Sequence, residues 1–218
     1  TLVAANGTVT ADRLAVRAAA LPVPLHGVTG QVVCAGTTVR AARLAFATPR
    51  AAWEAAGSVE GVRAPVLHLV LASPAADLAE WRPDAAGRGP CRIALDGPAA
   101  DPVVAVDADL RDVRAGELAV RRVRGRGTAS DHGRLVRLDG VETELSAGTL
   151  AVTGTWKPAD RAAALAWSWS PAGRGVPALE GTASFARNTG TFAARTADGM
   201  WSGRGKLALD ATRVRVAL

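Results

Sequence analysis

The sequence has few of the residues that usually carry chemistry. Tyrosine is absent, and the 218 residues include only three histidines, two cysteines, one methionine and three phenylalanines. None of His26, His68 and His132 belongs to an HExxH or HxH motif, and no serine occupies a GxSxG motif. The metal-binding helix of a protease and the nucleophile elbow of a hydrolase are therefore missing. We expect no catalytic residues and a protein that is not an enzyme.

Metal and cofactor sites are equally poorly represented. Cys34 and Cys91 lie far apart and neither has a CxxC partner, whereas structural zinc needs four closely paired ligands. We expect no metal and no cofactor. The two cysteines either form a disulfide or are two buried free thiols, and the second interpretation is favoured because free cysteine is often buried.

Long hydrophobic runs are also absent. The most apolar stretch, 66–72, contains His68 and has the length of a strand, whereas a membrane helix needs about 20 apolar residues. The sequence opens inside the strand pattern at Thr1, without a leader. We interpret the chain as a segment of a longer protein, in which any signal or anchor lies elsewhere.

Short runs of alternating apolar residues fill the chain. Examples are Val104 to Leu110, Leu150 to Trp156 and Leu165 to Trp169, each bounded by turn residues such as Asp139-Gly140 or Asp198-Gly199. A period of two places alternate side chains on one face of a strand. The pattern predicts an all-β protein whose sheet has one apolar and one polar face, and an apolar face needs a cover or a ligand.

The strands repeat with a long period. An offset of 97 residues superimposes Val39, Leu44, Trp53 and Gly57 on Val136, Val141, Leu150 and Gly154. The predicted organisation is a first β-repeat unit at 1–97, a second at 98–194 and the start of a further unit at 195–218. No polar linker separates these units, so we expect one continuous sheet.

Charge is the next informative property. The formal net charge is +6, and only Lys157 and Lys206 are lysine among the 26 basic residues. The densest basic cluster includes Arg122, Arg124 and Arg126, which we consider as candidates for anionic lipid headgroups or as a solvated strand face. We interpret the four Gly-Arg-Gly triplets as isolated turns without interleaved aromatics, so we expect no nucleic-acid partner.

Acid pairs leave a weaker enzymatic alternative open. Asp107 with Asp109, and Glu142 with Glu144, place two carboxylates on one strand face, as a carbohydrate-processing enzyme would require. A solvated strand face explains them better. The six tryptophans are expected in the core or along an apolar groove.

Three stretches carry a resemblance to a known family. They are 140–156, 97–104, with its Gly-Pro and Asp-Pro-Val-Val sequences, and 64–72 leading into Asp77-Leu78. Strands that end in a Gly-x-Leu-x-Val-x-Gly pattern, followed by a turn and an apolar strand, are typical of the family. The chain resembles the repeating β-strand region of AsmA-like and TamB-type envelope proteins over nearly its whole length.

The resemblance implies a fold and a location. It implies a long, curved antiparallel sheet of repeated strands, folded lengthwise into an open, taco-like groove with an apolar inner wall. It also implies a periplasmic location within a parent protein anchored in the inner membrane. The family is associated with phospholipid transport between the inner and outer membranes and with outer-membrane assembly. The membrane would be contacted by parts of the parent outside this segment.

We therefore expect a non-enzymatic, lipid-binding or lipid-conducting β-groove segment. Its expected partners are phospholipid acyl chains and outer-membrane assembly proteins. The candidate groove residues are apolar positions on alternating strands: Leu67, Leu69, Leu71, Val104, Val106, Leu150, Val152, Leu165, Trp167, Leu207 and Leu209. The alternative is a structural or adhesive β-solenoid segment of a surface or secreted protein, for which shorter and stricter repeats would be expected.

Overall fold

A computed structural model describes residues 6–16, 23–173, 175–187, 189–210 and 213–217, with side chains as far as Lys206. These residues form β-strands joined by short turns, with one 3-10 turn of three residues. No helix in this part of the chain is long and apolar enough to span a membrane. The predicted fold class is confirmed: the protein is all-β, and its strands pair antiparallel.

The strands group into two compact units, Thr1–Ala119 and Val120–Leu218. In the first unit the elements are β1 (Gly7–Val16), β2 (Leu25–Ala35), β3 (Thr38–Ala47), β4 (Ala52–Glu60), β5 (Val66–Asp77), the 3-10 turn η1 (Leu78–Glu80), β6 (Ala85–Pro98) and β7 (Val103–Ala115). The second unit begins at Val120, two residues after the start of its first strand. Its elements are β8 (Leu118–Ser130), β9 (Leu135–Leu145), β10 (Gly148–Lys157), β11 (Ala162–Pro171), β12 (Leu179–Ala186), β13 (Thr189–Thr196), β14 (Ser202–Asp210) and β15 (Arg213–Ala217).

Strand order within each unit is simply chain order. Each strand pairs with the strand that follows it, because turns of a few residues return the chain beside itself. In the β2–β3 turn, for example, Gly36 has a φ of +61°, a left-handed conformation that glycine adopts without steric cost. The boundaries predicted at residues 97 and 194 describe repeats in the sequence, whereas the two compact units are defined by contacts in the structure. The repeat boundaries therefore stay a prediction.

The described core is small. It consists of Ala51, Trp53, Ala76 and Cys91, with Phe46, Leu71, Ile93 and Ala108 packed against it. This cluster lies where β4 begins and where β5 meets β6. No large side chain in the described residues is fully buried. Backbone pairing and side-chain contacts along the sheet therefore hold most of the molecule together.

Candidate functional site

The strand register of the first unit gathers apolar side chains on one face. Leu69 lies opposite Leu95 and Leu71 opposite Ile93, while Leu67 follows the same alternation. Across the next pairing, Leu95 lies opposite Val104 and Ile93 opposite Val106. Directly opposed residues in an antiparallel pair share a face. The five groove candidates of this unit, Leu67, Leu69, Leu71, Val104 and Val106, therefore lie on one surface.

The second unit repeats this arrangement. Leu150 lies opposite Trp169, Val152 opposite Trp167 and Gly154 opposite Leu165. The groove candidates Leu150, Val152, Leu165 and Trp167 thus share one surface. We call this surface in each unit the apolar face. Leu207 and Leu209, the two remaining candidates, lie outside the residues whose side chains are described.

Tryptophan and glycine are matched across the apolar face of the second unit. A side-chain atom added at Gly148 would meet the ring of Trp169, and one added at Gly181 would meet the ring of Trp167. The indole rings therefore lie over backbone that carries no side chain, a known way to cover a glycine in a sheet. Trp201 covers Gly203 in the same manner. The result is an apolar surface formed largely by aromatic rings.

Most of the apolar face stays in contact with solvent. Leu69, Leu150, Val152, Leu165 and Trp167 are half-buried. Other large members are more open: Val39 is 42% exposed, Val106 38% and Trp156 45%. These side chains touch neighbours within the sheet but keep apolar area that a second layer or a ligand would remove from water.

One part of the first unit's apolar face is covered. The segment after β5 places Trp81 against Trp53, with ring centroids 5.6 Å apart in an edge-to-face arrangement. Trp53 is only 4% exposed, and its Nε1 has no hydrogen-bond partner. Trp81 itself remains 42% exposed. We call residues 78–84 the cover segment.

Polar contacts fix the cover segment at its base. Glu80 accepts hydrogen bonds from the Thr48 hydroxyl at 2.8 Å and from the Arg50 backbone N–H at 3.4 Å. Asp77 caps η1 by accepting from the Ala79 N–H at 3.0 Å, and its other oxygen accepts from Arg88 at 2.9 Å. Burial alone would raise the pKa of Asp77, but these hydrogen bonds and the arginine charges lower it below its ordinary value.

The arginine candidates lie on the opposite, polar face. Arg122 is 3.5 Å from the carboxylate of Glu144 and directly opposite it, Arg124 lies opposite Glu142, and Arg126 lies opposite Gly140. The charge of Arg122 is therefore partly balanced by the Glu144 carboxylate. A lipid that lay along the apolar face would not bring its headgroup to these arginines, because the two sets of side chains project from opposite sides of the sheet.

The acid pairs lie on the polar face as well. Asp107 is opposite Arg92, and Glu142 and Glu144 are opposite Arg124 and Arg122. All three acids are exposed. His68 is also exposed, and its Nδ1 lies 2.6 Å from the Asp96 carboxylate. Glu144 forms an ion pair with Arg122 across strands, and the other two of the three acids lie opposite arginines in the register, which is the environment expected of a solvated strand face.

A cleft on the polar face of the second unit was not anticipated from the sequence. It measures about 770 Å³ and lies over β10 to β14, where Ala, Ser and Thr side chains line its floor. Glu180 and Arg195 also line it and are joined by a 2.7 Å hydrogen bond. In the sequence, the signal for this cleft was the alternation of small residues with tryptophan in β11. Locating the cleft, however, required the strand register.

The two cysteines are free thiols. Cys34 is half-buried and Cys91 is buried in the core beside Trp53. Burial, followed by the negative charge of Asp107, raises the pKa of the Cys91 thiol. A thiol with a raised pKa is a poor nucleophile at neutral pH. Cys91 is thus an internal packing residue.

No protein-family model, curated protein or solved structure matches the chain.

Proposed function

We propose that the chain is a non-enzymatic lipid-binding segment whose apolar faces hold phospholipid acyl chains. The observation that carries the proposal is the collection of half-exposed leucine, valine and tryptophan side chains on one face of each unit. An acyl chain is long, apolar and without polar groups to satisfy, so a continuous apolar surface is sufficient to bind it. Burial of a methylene group contributes about 0.8 kcal/mol when complete.

The proposal includes the envelope context that the sequence resemblance implies. The segment would belong to a periplasmic part of an inner-membrane-anchored parent that takes part in phospholipid transport and outer-membrane assembly. The alternation of an apolar and a polar face supports it, because such a surface can carry acyl chains through an aqueous compartment. Fractionation of cells that express the tagged parent protein tests this location, and recovery in the cytoplasm would contradict it.

A structural or adhesive β-solenoid is the second hypothesis from the sequence. Solenoids of the parallel β-helix type stack parallel strands around a closed interior. The strands here pair antiparallel with their sequence neighbours, and the apolar side chains on one face remain half-exposed. Both observations favour the lipid proposal over the solenoid.

The test places a charge on either face of the same strand. Val152→Glu puts a carboxylate in the apolar face, and Thr153→Glu puts one on the exposed polar face one residue away. We expect native mass spectrometry of the protein, incubated with micellar dioleoylphosphatidylethanolamine, to show bound lipid for the unaltered chain and for Thr153→Glu. Val152→Glu should bind at least tenfold less, because the buried charge would have to be desolvated.

A second pair keeps the test independent of folding defects at one site. Val106→Glu changes a side chain that is already 38% exposed, and Ala105→Glu is its control on the opposite face. Circular dichroism and urea unfolding establish that each variant is folded. Absence of bound lipid on the unaltered protein, or equal loss in both members of each pair, would overturn the proposal.

A further inference from the structure

Two loops meet at one end of the second unit. The described residues of the β11–β12 loop, 172–173 and 175–178, and the β13–β14 loop, 197–201, lie at the same end of the strands, because each loop follows an odd-numbered strand of the antiparallel series. The Ala197 N–H donates a hydrogen bond to the Ala178 carbonyl at 3.0 Å, which joins them directly. We call this pair of loops the tip.

The tip exposes large apolar side chains. Met200 is 87% exposed, Val176 57% and Trp201 49%. Among the large hydrophobic residues whose side chains are described, Met200 has the largest exposed fraction, and all three lie within two short turns. Single exposed hydrophobic residues are common, whereas a group of them marks an interaction site.

The β13–β14 turn holds Met200 outward by its own hydrogen bonds. The Met200 N–H donates to the Asp198 carboxylate at 3.0 Å, and the Trp201 N–H donates to the Thr196 hydroxyl at 3.0 Å. The Thr196 N–H in turn donates to the Trp201 carbonyl at 2.9 Å. Gly199 supplies the positive φ of +74° that the turn requires. The exposure of Met200 is therefore part of a defined turn.

The tip is continuous with the apolar face. Trp201 lies over Gly203, and Gly203 lies opposite Ala194, which lies opposite Gly181 beneath the Trp167 ring. Apolar atoms thus extend from Met200 through Trp201 to the tryptophans of the apolar face. A lipid acyl chain that left a bilayer beside Met200 would therefore contact apolar side chains from the start.

We propose that the tip inserts into the interfacial layer of a phospholipid bilayer and transfers acyl chains onto the apolar face of the second unit. The transfer rests on the proposed function, whereas the insertion does not. Tryptophan and methionine suit this partner: indole combines an apolar ring with an N–H donor and is enriched at membrane interfaces, and methionine is flexible. The side chains project from two turns, so a fluid partner accommodates them without a shaped pocket.

Among the described tip residues, one side chain is charged. Asp198 is the acidic residue of the turn, and its carboxylate is engaged by the Thr196 side chain and the Met200 N–H, which lower its pKa. Binding should therefore be driven by apolar burial, and it should persist on zwitterionic vesicles in high salt.

The experiment measures co-sedimentation with phosphatidylcholine vesicles. We expect Met200→Asp and Val176→Asp each to weaken binding about tenfold, because a carboxylate must be desolvated on insertion. The control is Val62→Asp, in a loop of the first unit where the valine is 42% exposed, and it should bind as the unaltered protein does. Quenching by brominated lipid should decrease in Trp201→Phe and persist in Trp156→Phe, at the opposite strand end.

The possible outcomes distinguish membrane insertion by the tip from lipid binding on the apolar face. If the proposal is correct, Met200→Asp takes up lipid from micelles as the unaltered protein does, but takes it up from vesicles about tenfold less. Failure of the proposed function would instead show as no uptake from micelles by any variant, with vesicle binding retained. Vesicle binding that is absent from the unaltered protein, or unchanged by both tip variants, would overturn insertion. If the tip variants instead lost self-association but kept vesicle binding, the tip would be a contact between copies of the chain. That result would also overturn insertion.

Discussion

The hairpin β3–β4 and the hairpin β9–β10 have the same register and the same irregularity. In the first, the pairing changes between Ala41 opposite Gly57 and Leu44 opposite Ala55. In the second, it changes between Leu138 opposite Gly154 and Val141 opposite Val152. Each position differs from its counterpart by 97 residues. Two hairpins with few identical residues thus share a β-bulge, a feature that is usually retained within families because it redirects the strand.

The difference lies in what covers them. Trp53 of the first hairpin lies beneath Trp81 and is 4% exposed, whereas its counterpart Leu150 is half-buried. The loop after β5 folds back as the cover segment, and the loop after β11 instead presents Val176 to solvent. The same scaffold is therefore sealed in one unit and open in the other. Two differences accompany the change in accessibility: the loop after the strand, and the exchange of Trp53 for Leu150 in the hairpin itself.

The largest effect should come from the covered position. Trp53→Ala removes a buried ring and is expected to lower the free energy of unfolding by about 3–5 kcal/mol. Leu150→Ala should lower it by about 1–2 kcal/mol, because Leu150 is already partly solvated. Urea unfolding measures both. Equal losses would show that the two positions are packed alike and would break the comparison.

The shared bulge predicts equal effects in the two hairpins. Gly57 and Gly154 have φ values of +133° and +137°, and an added side-chain atom would collide with the carbonyl oxygens of His68 and Ala164. Alanine at either position should cost about 2–3 kcal/mol from backbone strain and steric conflict. Gly36→Ala, where nothing lies within 4 Å, should cost about 1 kcal/mol. A tolerated alanine at only one of the two would separate the hairpins.

The cover segment should control access to Cys91. In a Cys34→Ser background, Trp81→Ala should lower the free energy of unfolding by about 1 kcal/mol, from the loss of the ring contact. It should also speed maleimide labelling of Cys91 under native conditions, because the thiol lies in the core beside Trp53. Val176→Ala, in the corresponding loop of the second unit, is the control. Unchanged labelling in Trp81→Ala would mean that the segment does not act as a cover.

Acid should weaken the base of the cover segment. Because the pKa of folded Asp77 is lowered, its stabilisation is complete above the pKa of the unfolded state and disappears as pH falls through the folded pKa. At pH 7, Asp77→Asn should lose about 1 kcal/mol, since the asparagine keeps the cap but not the charge. The difference from the unaltered protein should begin to shrink near the unfolded pKa of about 4 and should vanish only when pH falls below the lowered pKa of folded Asp77. A difference that grew on acidification would contradict the assigned ion pairs.

The strands and their faces were predictable because the alternation of apolar and polar residues is the sequence pattern of a half-buried strand. Val106, Leu150 and Val152 could be assigned to an apolar face because each has a polar neighbour, and Val104 follows from the period of two. The segment 66–71 was harder, since both alternating sets are apolar there. Only its pairing with β6 shows that Leu67, Leu69 and Leu71 face the same way as Val104.

The cover segment and the tip were beyond sequence reasoning. Asp77 before Leu78 resembles a helix cap, but a three-residue turn has no periodicity to detect. Likewise, the pairing of Trp167 with Gly181 depends on a register between strands, and neither residue signals the other. The exposure of Met200 depends on a turn fixed by Thr196 and Asp198. Contacts set by register and by turn geometry require three-dimensional information.

The order of strands in each unit also has a consequence for kinetics. Because every strand pairs with a close sequence neighbour, the loops closed during folding are short and their entropic cost is small. Hairpins of this kind form in about 1–10 μs. Folding can begin at any hairpin and extend one strand at a time, so a nascent chain can add strands to the sheet as they leave the ribosome.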